Sequence, residues 1–360
     1  MTHPSRHAPN FAPRGHPPSG AAAPGPGAVP APTGPSPTLA DVYAARERLA
    51  GAGGVVHTPC IPCEALSEKL GAAVHLKLES LQLAGAFKVR GALNYAWQLN
   101  AAERAGGLVT ASSGSHGMAV ALAARRLGTT ATVFMPEFSS PHKRRRVEAY
   151  GGRVVVAGAD YYQAFARARE LAAERGAALI PAFDHPHIVA GQGTAGLELV
   201  EDLPSPDLVV VPVGGGGLAA GVALVVKSLC PGARVWGVQP AGAPSLARSL
   251  EAGRPVELDR LDTLADGIRV RRPGDLTFAL CRRYLDGVAL VSDPDIFSAV
   301  AFLLRQARVV AEPAGAAAVA ALLSGAVNAP PGSRVVAVVS GGNLSPEALE
   351  RALTCEGGGP

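Results

Sequence analysis

A lysine at the start of a predicted helix offers the most distinctive chemistry in this sequence. After Gly85 the apolar residues take helical spacing, so the pattern places Lys88 in the first turn of a helix. The partial positive charge of a helix N-terminus disfavours a cation, and flanking Phe87 and Val89 add desolvation that favours the uncharged amine. Such an amine can condense with a carbonyl to form a Schiff base. These features favour a nucleophilic amine at Lys88, and a lysine that snorkels from a solvated helix face is the alternative interpretation when the residue is taken alone.

Two loops are predicted to bind anions, although tight turns are the alternative interpretation of each. The segment Ser112–Gly117 joins a strand to a helix, where backbone amides and hydroxyls suit a carboxylate or a phosphate. Gly214–Gly217 follows another strand, and four consecutive glycines leave no Cβ between the amides and a phosphate. Neither loop has the P-loop or the dinucleotide pattern.

A hydroxyl completes the set of candidate site groups. Ser340 ends the last predicted strand, where it can hydrogen-bond an aromatic nitrogen or cap a helix. His116 is a candidate general base, but the structural role of a hydrogen-bonded histidine is the favoured interpretation. A nucleophilic lysine, two anion cradles and a hydroxyl at one sheet edge describe an aldehyde cofactor that carries a phosphate, together with an amino-acid substrate. That combination predicts pyridoxal phosphate.

Strands that alternate with helices must position these groups. The strands are predicted as solid Val, Leu and Ile runs, which is typical of parallel strands covered by helices on both faces. Ligands of such sheets bind outside the carboxyl ends of the strands, and each motif above lies at such an end. The predicted strands are Val74–Leu78, Leu108–Ala111, Ala131–Met135, Arg153–Val156, Ala178–Ala182, Leu208–Val213, Val235–Val238, Val288–Val291 and Val335–Val339.

The composition of the 360 residues suits an α/β enzyme core, with 48% hydrophobic and 17% charged residues. Residues 1–37 are rich in Pro, Gly and Ala and are predicted to form a disordered tail. No apolar run is long enough to span a membrane. The basic run His142–Arg146 has no interleaved aromatics and is interpreted as a solvated helix face rather than a nucleic-acid site. An odd count of five cysteines predicts a reducing compartment, the cytoplasm.

A set of motifs gives the sequence a family resemblance. From about residue 38 to 353 it resembles the threonine/serine dehydratase and serine racemase branch of fold-type II pyridoxal-phosphate enzymes. This resemblance implies two open, twisted, mostly parallel sheets with helices on both faces. It also implies a small mobile domain at 107–183, inserted in a large domain at 38–106 and 184–355, and a homodimer. The motifs are Gly85–Ala92, Ser112–Gly117, Ala190–Thr194, Val213–Gly217, Ala265–Gly267, Glu312–Gly315 and Ser340–Asn343.

The resemblance also implies a role for each site residue. Lys88 would bond the cofactor aldehyde beside Phe87, and Ser340 would hydrogen-bond the ring nitrogen. Gly267 and Glu312 would line the ring edge. The phosphate would be held by Gly214, Gly215, Gly216, Gly217 and Leu218. The substrate carboxylate would be received by Ser112, Ser113, Gly114, Ser115 and His116.

Two departures from the family pattern affect these expectations. Ser115 stands where the family usually has an asparagine that contacts the ring hydroxyl. Gln239 and Ser245 stand where metal-binding members carry carboxylates, and hard divalent cations prefer carboxylate ligands, so no metal site is predicted.

The activity implied by the resemblance is that of an L-threonine/L-serine ammonia-lyase, which eliminates water and yields a 2-oxo acid and ammonia. An amino-acid racemase or a 3-hydroxyaspartate dehydratase on the same scaffold is the near alternative, because Ser113 could return a proton to the opposite face of the substrate. A module that binds the cofactor without turnover is the remote alternative, motivated by Ser115. Cysteine synthase-type replacement is disfavoured, because Ser115-His116 replaces the asparagine-threonine of that branch.

Overall fold

The computed structural model describes residues 35–51 and 54–354. The tail predicted at residues 1–37 therefore lies almost entirely outside the described residues. Ten strands are found in the described part of the chain. They are β1 Cys60–Pro62, β2 Ala73–Leu78, β3 Leu108–Ala111, β4 Ala131–Met135, β5 Gly152–Val156, β6 Ala178–Leu179, β7 Leu208–Pro212, β8 Arg234–Pro240, β9 Gly287–Val291 and β10 Arg334–Val339.

Helices cover both faces of the sheets, so the predicted α/β class is confirmed. The helices are α1 Leu39–Gly51, α2 Glu64–Leu70, α3 Lys88–Ala96, α4 Ala101–Ala105, α5 Ser115–Leu127, α6 Pro141–Ala149, α7 Tyr161–Arg175, α8 Pro186–Asp202, α9 Gly217–Leu229, α10 Ser245–Ala252, α11 Asp275–Tyr284, α12 Asp293–Phe302, α13 Pro313–Leu323 and α14 Pro346–Thr354. No helix in the described ranges is both long enough and apolar enough to cross a membrane.

The strands form two sheets. The larger has the order β1-β2-β10-β7-β8-β9 and the smaller has the order β5-β4-β3-β6. All pairings are parallel except that of β1 with β2, an antiparallel edge pair. The mostly parallel architecture is therefore confirmed, whereas the short strand β1 was not predicted. The strands of the smaller sheet all lie within residues 107–183, the range predicted for a small domain.

Strand order explains why distant motifs meet. In the larger sheet β10 lies between β2 and β7. The segment after β2 leads to Lys88, the loop after β10 begins with Ser340, and the segment after β7 contains Gly214–Gly217. Parallel strands end at the same sheet edge, so the sheet brings these groups together. The predicted strand Ala178–Ala182 is shorter than expected, because the chain leaves β6 after Leu179 and crosses back toward the larger sheet.

Candidate active site

A cavity of about 260 Å³ lies at this edge and is lined by loops from both sheets. It brings together every residue that the sequence placed in the site, although their individual roles remain predictions. These residues are Phe87, Lys88, Ser112, Ser113, Gly114, Ser115, His116, Gly214, Gly215, Gly216, Gly217, Leu218, Gly267, Glu312 and Ser340. A concave, largely pre-formed pocket with convergent polar groups is what small-molecule sites require.

Lys88 is the first residue of helix α3 and its side chain lies in the cavity wall. Its Nζ donates to the carbonyl oxygen of Ala182 at 3.1 Å and lies 5.0 Å from the centroid of the Phe87 ring. Burial lowers the pKa of Lys88 to about 8, although the carboxylate of Glu312 opposes the shift. About a tenth of this amine is therefore uncharged at pH 7, and this fraction can act as a nucleophile.

A network of buried charges fixes the opposite side of α3, and the sequence analysis missed it. Arg90 is fully buried and makes two-pronged contacts with Glu79, at 2.8 Å each, and with Glu198, at 2.7 Å each. Lys77, also fully buried, donates to Glu198 at 2.9 Å and to Asp202 at 3.2 Å. Because these residues belong to α3, α8 and the β2 region, the network fixes the start of α3 relative to the larger sheet.

The tetraglycine loop precedes helix α9 and presents unpaired backbone amides. Within the described chain, no acceptor pairs with the amides of residues 214–219. Gly216 has φ of +98°, a conformation that favours glycine. A Cβ on Gly215 would overlap the ring of Phe183, and a Cβ on Gly217 would lie 3.1 Å from that side chain. The loop thus requires glycine both for its backbone and for its packing, and its free amides suit an anion.

The loop Ser112–His116 forms a second anion cradle at the N-terminus of α5. Among the described residues no acceptor pairs with the amides of Ser113, Ser115 or His116. His116 is buried, and its Nε2 lies 3.3 Å from the carbonyl oxygen of Ile180. Burial and the neighbouring charge of Lys88 lower the pKa of His116 to about 3. His116 is therefore neutral near pH 7, which supports its interpretation as a structural hydrogen-bonder.

The loop after β10 contributes two groups, of which the sequence analysis gave a role only to the first. The carbonyl oxygen of Ser340 accepts from the amide of Phe87 at 3.2 Å, while its hydroxyl has no partner among the described residues. Asn343 donates from Nδ2 to the hydroxyl oxygen of Ser115 and to the carbonyl oxygen of Ala84, both at 2.9 Å. Asn343 thus fixes the position of Ser115, whose short side chain was the main departure from the family pattern.

Charged side chains line the rest of the cavity. Glu312 lies at the N-terminus of α13, and burial raises its pKa despite the opposing charges of Lys143, Arg146 and Lys88. Lys143, on helix α6, forms an ion pair with Asp266 in the loop that also holds Gly267. This ion pair joins the smaller-sheet region to the larger one beside the cavity.

Metal-binding groups are not clustered in the described ranges, where no three His, Cys, Asp or Glu residues come together. Gln239 instead accepts from the amides of Leu246 and Ala247 at 2.9 and 3.0 Å and so caps helix α10. Cys60 and Cys63 have the C-x-x-C spacing of redox and zinc motifs, but burial raises the pKa of both thiols and so disfavours the reactive thiolate.

An amine of lowered pKa beside a cradle of free amides defines a site for an aldehyde cofactor that carries a phosphate. Comparisons with known proteins agree. Residues 52–341 match the family described as pyridoxal-phosphate dependent enzyme. The chain therefore belongs to this family, and its cofactor is pyridoxal phosphate.

Individual relatives refine the comparison. The chain is 42% identical to an L-threonine ammonia-lyase of Thermotoga maritima over 88% of this chain and 78% of that protein. Among solved structures, maize serine racemase matches with a TM-score of 0.83 and 34% identity, over 88% of this chain and 97% of the other. The processed form of threonine deaminase isoform 2 from Solanum lycopersicum matches with a TM-score of 0.82 and 33% identity, over 93% of this chain and 99% of the other.

Proposed function

We propose that this protein is an L-threonine/L-serine ammonia-lyase, which eliminates water from the amino acid and releases a 2-oxo acid and ammonia. The observation that carries the proposal is the meeting, in one cavity, of the low-pKa amine of Lys88 with two separate anion cradles. Two cradles match two anionic groups, a cofactor phosphate and a substrate carboxylate. The identity of 42% to an L-threonine ammonia-lyase supports the choice of substrate.

The residues that would hold the cofactor fit its chemical groups. The amides of Gly214–Leu218 would bind the phosphate, and the free hydroxyl of Ser340 would meet the ring nitrogen. Gly267 and Glu312 would line the ring edge. The Ser115 hydroxyl, already an acceptor from Asn343, still has its own hydrogen to donate to the ring hydroxyl.

The amides of the loop Ser112–His116 would hold the substrate carboxylate at the N-terminus of α5, where the helix dipole favours an anion. Bound pyridoxal phosphate supplies an electron-withdrawing ring that stabilises negative charge at the substrate α-carbon. Lys88 would remove the α-proton as a general base, because its pKa of about 8 leaves part of the amine unprotonated near neutrality. Ser340 would offer the ring nitrogen a neutral hydroxyl rather than a carboxylate, which would favour loss of the β-hydroxyl over transamination.

The proposal is tested by incubating the purified holoenzyme with L-threonine and L-serine and measuring 2-oxobutanoate, pyruvate and ammonia. We expect the 2-oxo acid and ammonia to appear in equal amounts. A yellow, cofactor-loaded protein that releases no 2-oxo acid from either amino acid would contradict the proposal and favour the module without turnover. Including 3-hydroxyaspartate in the assay separates the dehydratase alternatives.

Racemisation is a second candidate activity, favoured by Ser113. Ser113 lines the cavity, and its hydroxyl has no hydrogen-bond partner among the described residues. From the family resemblance, Ser113 would lie on the face of the substrate opposite Lys88, where its hydroxyl could return a proton and invert the centre. We expect Ser113→Ala to reduce racemisation, measured by chiral analysis of recovered serine, more than 2-oxo acid release. Equal loss of both activities would contradict a proton-donor role.

We further propose, from the family resemblance, that the protein is a cytoplasmic homodimer and that residues 107–183 form a small domain that moves over bound substrate. The smaller sheet, whose strands all fall in that range, supports this division. The Lys143–Asp266 ion pair joins the proposed small domain to the large one beside the cavity.

A further inference from the structure

Helix α11 contacts the tetraglycine loop from the side away from the cavity. Thr277 is fully buried on this helix, and its Oγ1 donates to the carbonyl oxygen of Gly215 at 2.6 Å. Cys281, one turn later and also fully buried, directs its Sγ at the carbonyl oxygen of Gly216 at 3.8 Å. Two successive carbonyls of the loop thus point toward α11. Neither Thr277 nor Cys281 lines the cavity.

The direction of these carbonyls determines where the next amides point. In a trans peptide the C=O of one residue and the N–H of the next lie on opposite sides of the bond, and the described chain contains no cis peptides. A Gly215 carbonyl held toward α11 therefore turns the N–H of Gly216 away from α11. The same holds for the Gly216 carbonyl and the N–H of Gly217. Both glycines line the cavity, so these amides are presented on its side.

Helix α11 is itself fixed by the segment that crosses between the sheets. Asp184 accepts from the amide of Thr277 with Oδ1 and from the amide of Asp275 with Oδ2, both at 3.0 Å. A Cβ on Gly274 would overlap the Asp184 carboxylate, so the packing there is close. The neighbouring Phe183 ring packs on Gly215. One crossing segment therefore contacts the glycine loop directly and also anchors the helix that orients it.

We propose that Thr277 is a positioning residue for the cofactor phosphate: its hydroxyl holds the Gly215–Gly216 peptide so that the Gly216 amide faces the phosphate, and Cys281 assists at the next peptide. The inference rests on the phosphate role proposed above for the loop. It concerns the cofactor alone and makes no claim about the amino-acid substrate. Without the hydroxyl, the buried Gly215 carbonyl loses its partner and the peptide is free to turn.

The experiment titrates the apoprotein with pyridoxal phosphate and, separately, with pyridoxal, which lacks the phosphate, and follows each by its visible absorption. We expect wild-type protein to bind pyridoxal phosphate much more tightly than pyridoxal. Thr277→Val is nearly isosteric and removes the hydroxyl. It should weaken pyridoxal phosphate binding by about tenfold, the effect of one lost hydrogen bond, and leave pyridoxal binding unchanged. Thr277→Ser keeps a hydroxyl and should restore the wild-type preference.

Three further comparisons complete the test. Inorganic phosphate should raise the melting temperature of the wild-type apoprotein and raise that of Thr277→Val less. Ser228→Ala removes a hydroxyl that donates to the Leu224 carbonyl at 2.7 Å, at the far end of α9, and should change neither affinity. Thr277→Ala replaces Thr277→Val in all measurements if the valine variant does not fold.

The outcomes separate the two proposals. Equal binding of the two aldehydes by wild-type protein would overturn the phosphate role of the loop. Two other results would overturn the positioning role of Thr277 alone. One is that Thr277→Val binds pyridoxal phosphate in preference to pyridoxal as strongly as wild-type protein does. The other is that the variant loses affinity for both aldehydes equally.

Discussion

Lys88 and Arg90 lie two residues apart at the start of helix α3, yet the pKa of Lys88 is lowered and the pKa of Arg90 is raised. Lys88 faces the cavity, where burial lowers its pKa to about 8 and no described carboxylate is in ion-pair contact with it. Arg90 faces the larger sheet, where burial also disfavours its charge, but Glu79 and Glu198 outweigh that penalty and raise the pKa of Arg90. Glu198 in turn has a lowered pKa, because Arg90 and Lys77 outweigh its own burial.

The carboxylates in contact with a buried cation determine whether its pKa is raised or lowered overall. A desolvated amine without a carboxylate in ion-pair contact has a lowered pKa and can act as a base and a nucleophile, whereas a desolvated guanidinium paired with two carboxylates stays charged and has a structural role. The two sides of α3 are connected, because the network around Arg90 sets the position of the turn that presents Lys88. We therefore expect the ion pairs of Arg90 to help hold Lys88 in its position at the cavity.

Removing the Arg90 guanidinium is expected to have the largest effect on stability. Arg90→Ala leaves Glu79 and Glu198 buried without their main counter-charge, and it should lower the free energy of unfolding by about 3–5 kcal/mol, measured by urea denaturation of the apoprotein. The control is Arg167→Ala, because Arg167 and Glu170 form a salt bridge whose side chains are 65% and 53% exposed. That variant should lose less than about 1 kcal/mol. Similar losses in both variants would contradict the structural role of the network.

The pH dependence of the Lys88 amine tests whether its pKa is lowered in the cavity. The protonated amine cannot attack an aldehyde, so the rate at which apoprotein combines with pyridoxal should rise with pH through an inflection at about 8. Glu312→Gln removes the charge that raises the Lys88 pKa, and the inflection should move to lower pH. His116 does not contribute to this pH–rate profile, since its pKa of about 3 keeps it neutral across this range. An inflection near the ordinary lysine value, or one that does not move in Glu312→Gln, would contradict this account.

Lys88→Ala should have the smallest effect on stability. The amine makes one hydrogen bond, to the Ala182 carbonyl, and its loss is offset by removal of a desolvated amine. The free energy of unfolding of the apoprotein should change by less than about 1 kcal/mol. A loss as large as that of Arg90→Ala would show that both residues are structural.

The sequence predicted the parts of the site that depend on local pattern. Lys88 was placed in the first turn of a helix and is the first residue of α3. The strands β3 and β4 have their predicted bounds, because buried parallel strands are continuous apolar runs bounded by loop residues. The edge strand β1 was missed, because a three-residue strand has too short a pattern to be recognised.

The supporting contacts could not be predicted in the same way. Arg90 pairs with Glu198 across 108 residues, and Asp184 caps α11 across more than 90. Such partners are determined by tertiary packing. The sequence around an isolated arginine or threonine in a helix does not indicate which distant residue it will contact. The role proposed for Thr277 could not be predicted for the same reason, since it depends on the direction of a carbonyl in a loop more than 60 residues away.

We propose that Lys88 is the amine that bonds the cofactor aldehyde. Reduction of the holoenzyme with borohydride, followed by proteolysis and mass spectrometry, measures this directly, because it fixes the cofactor to the lysine that holds it. We expect the pyridoxyl-phosphate mass on the peptide that contains Lys88 and on no other lysine peptide. The same mass on a different lysine, with Lys88 unmodified, would contradict the role proposed for Lys88.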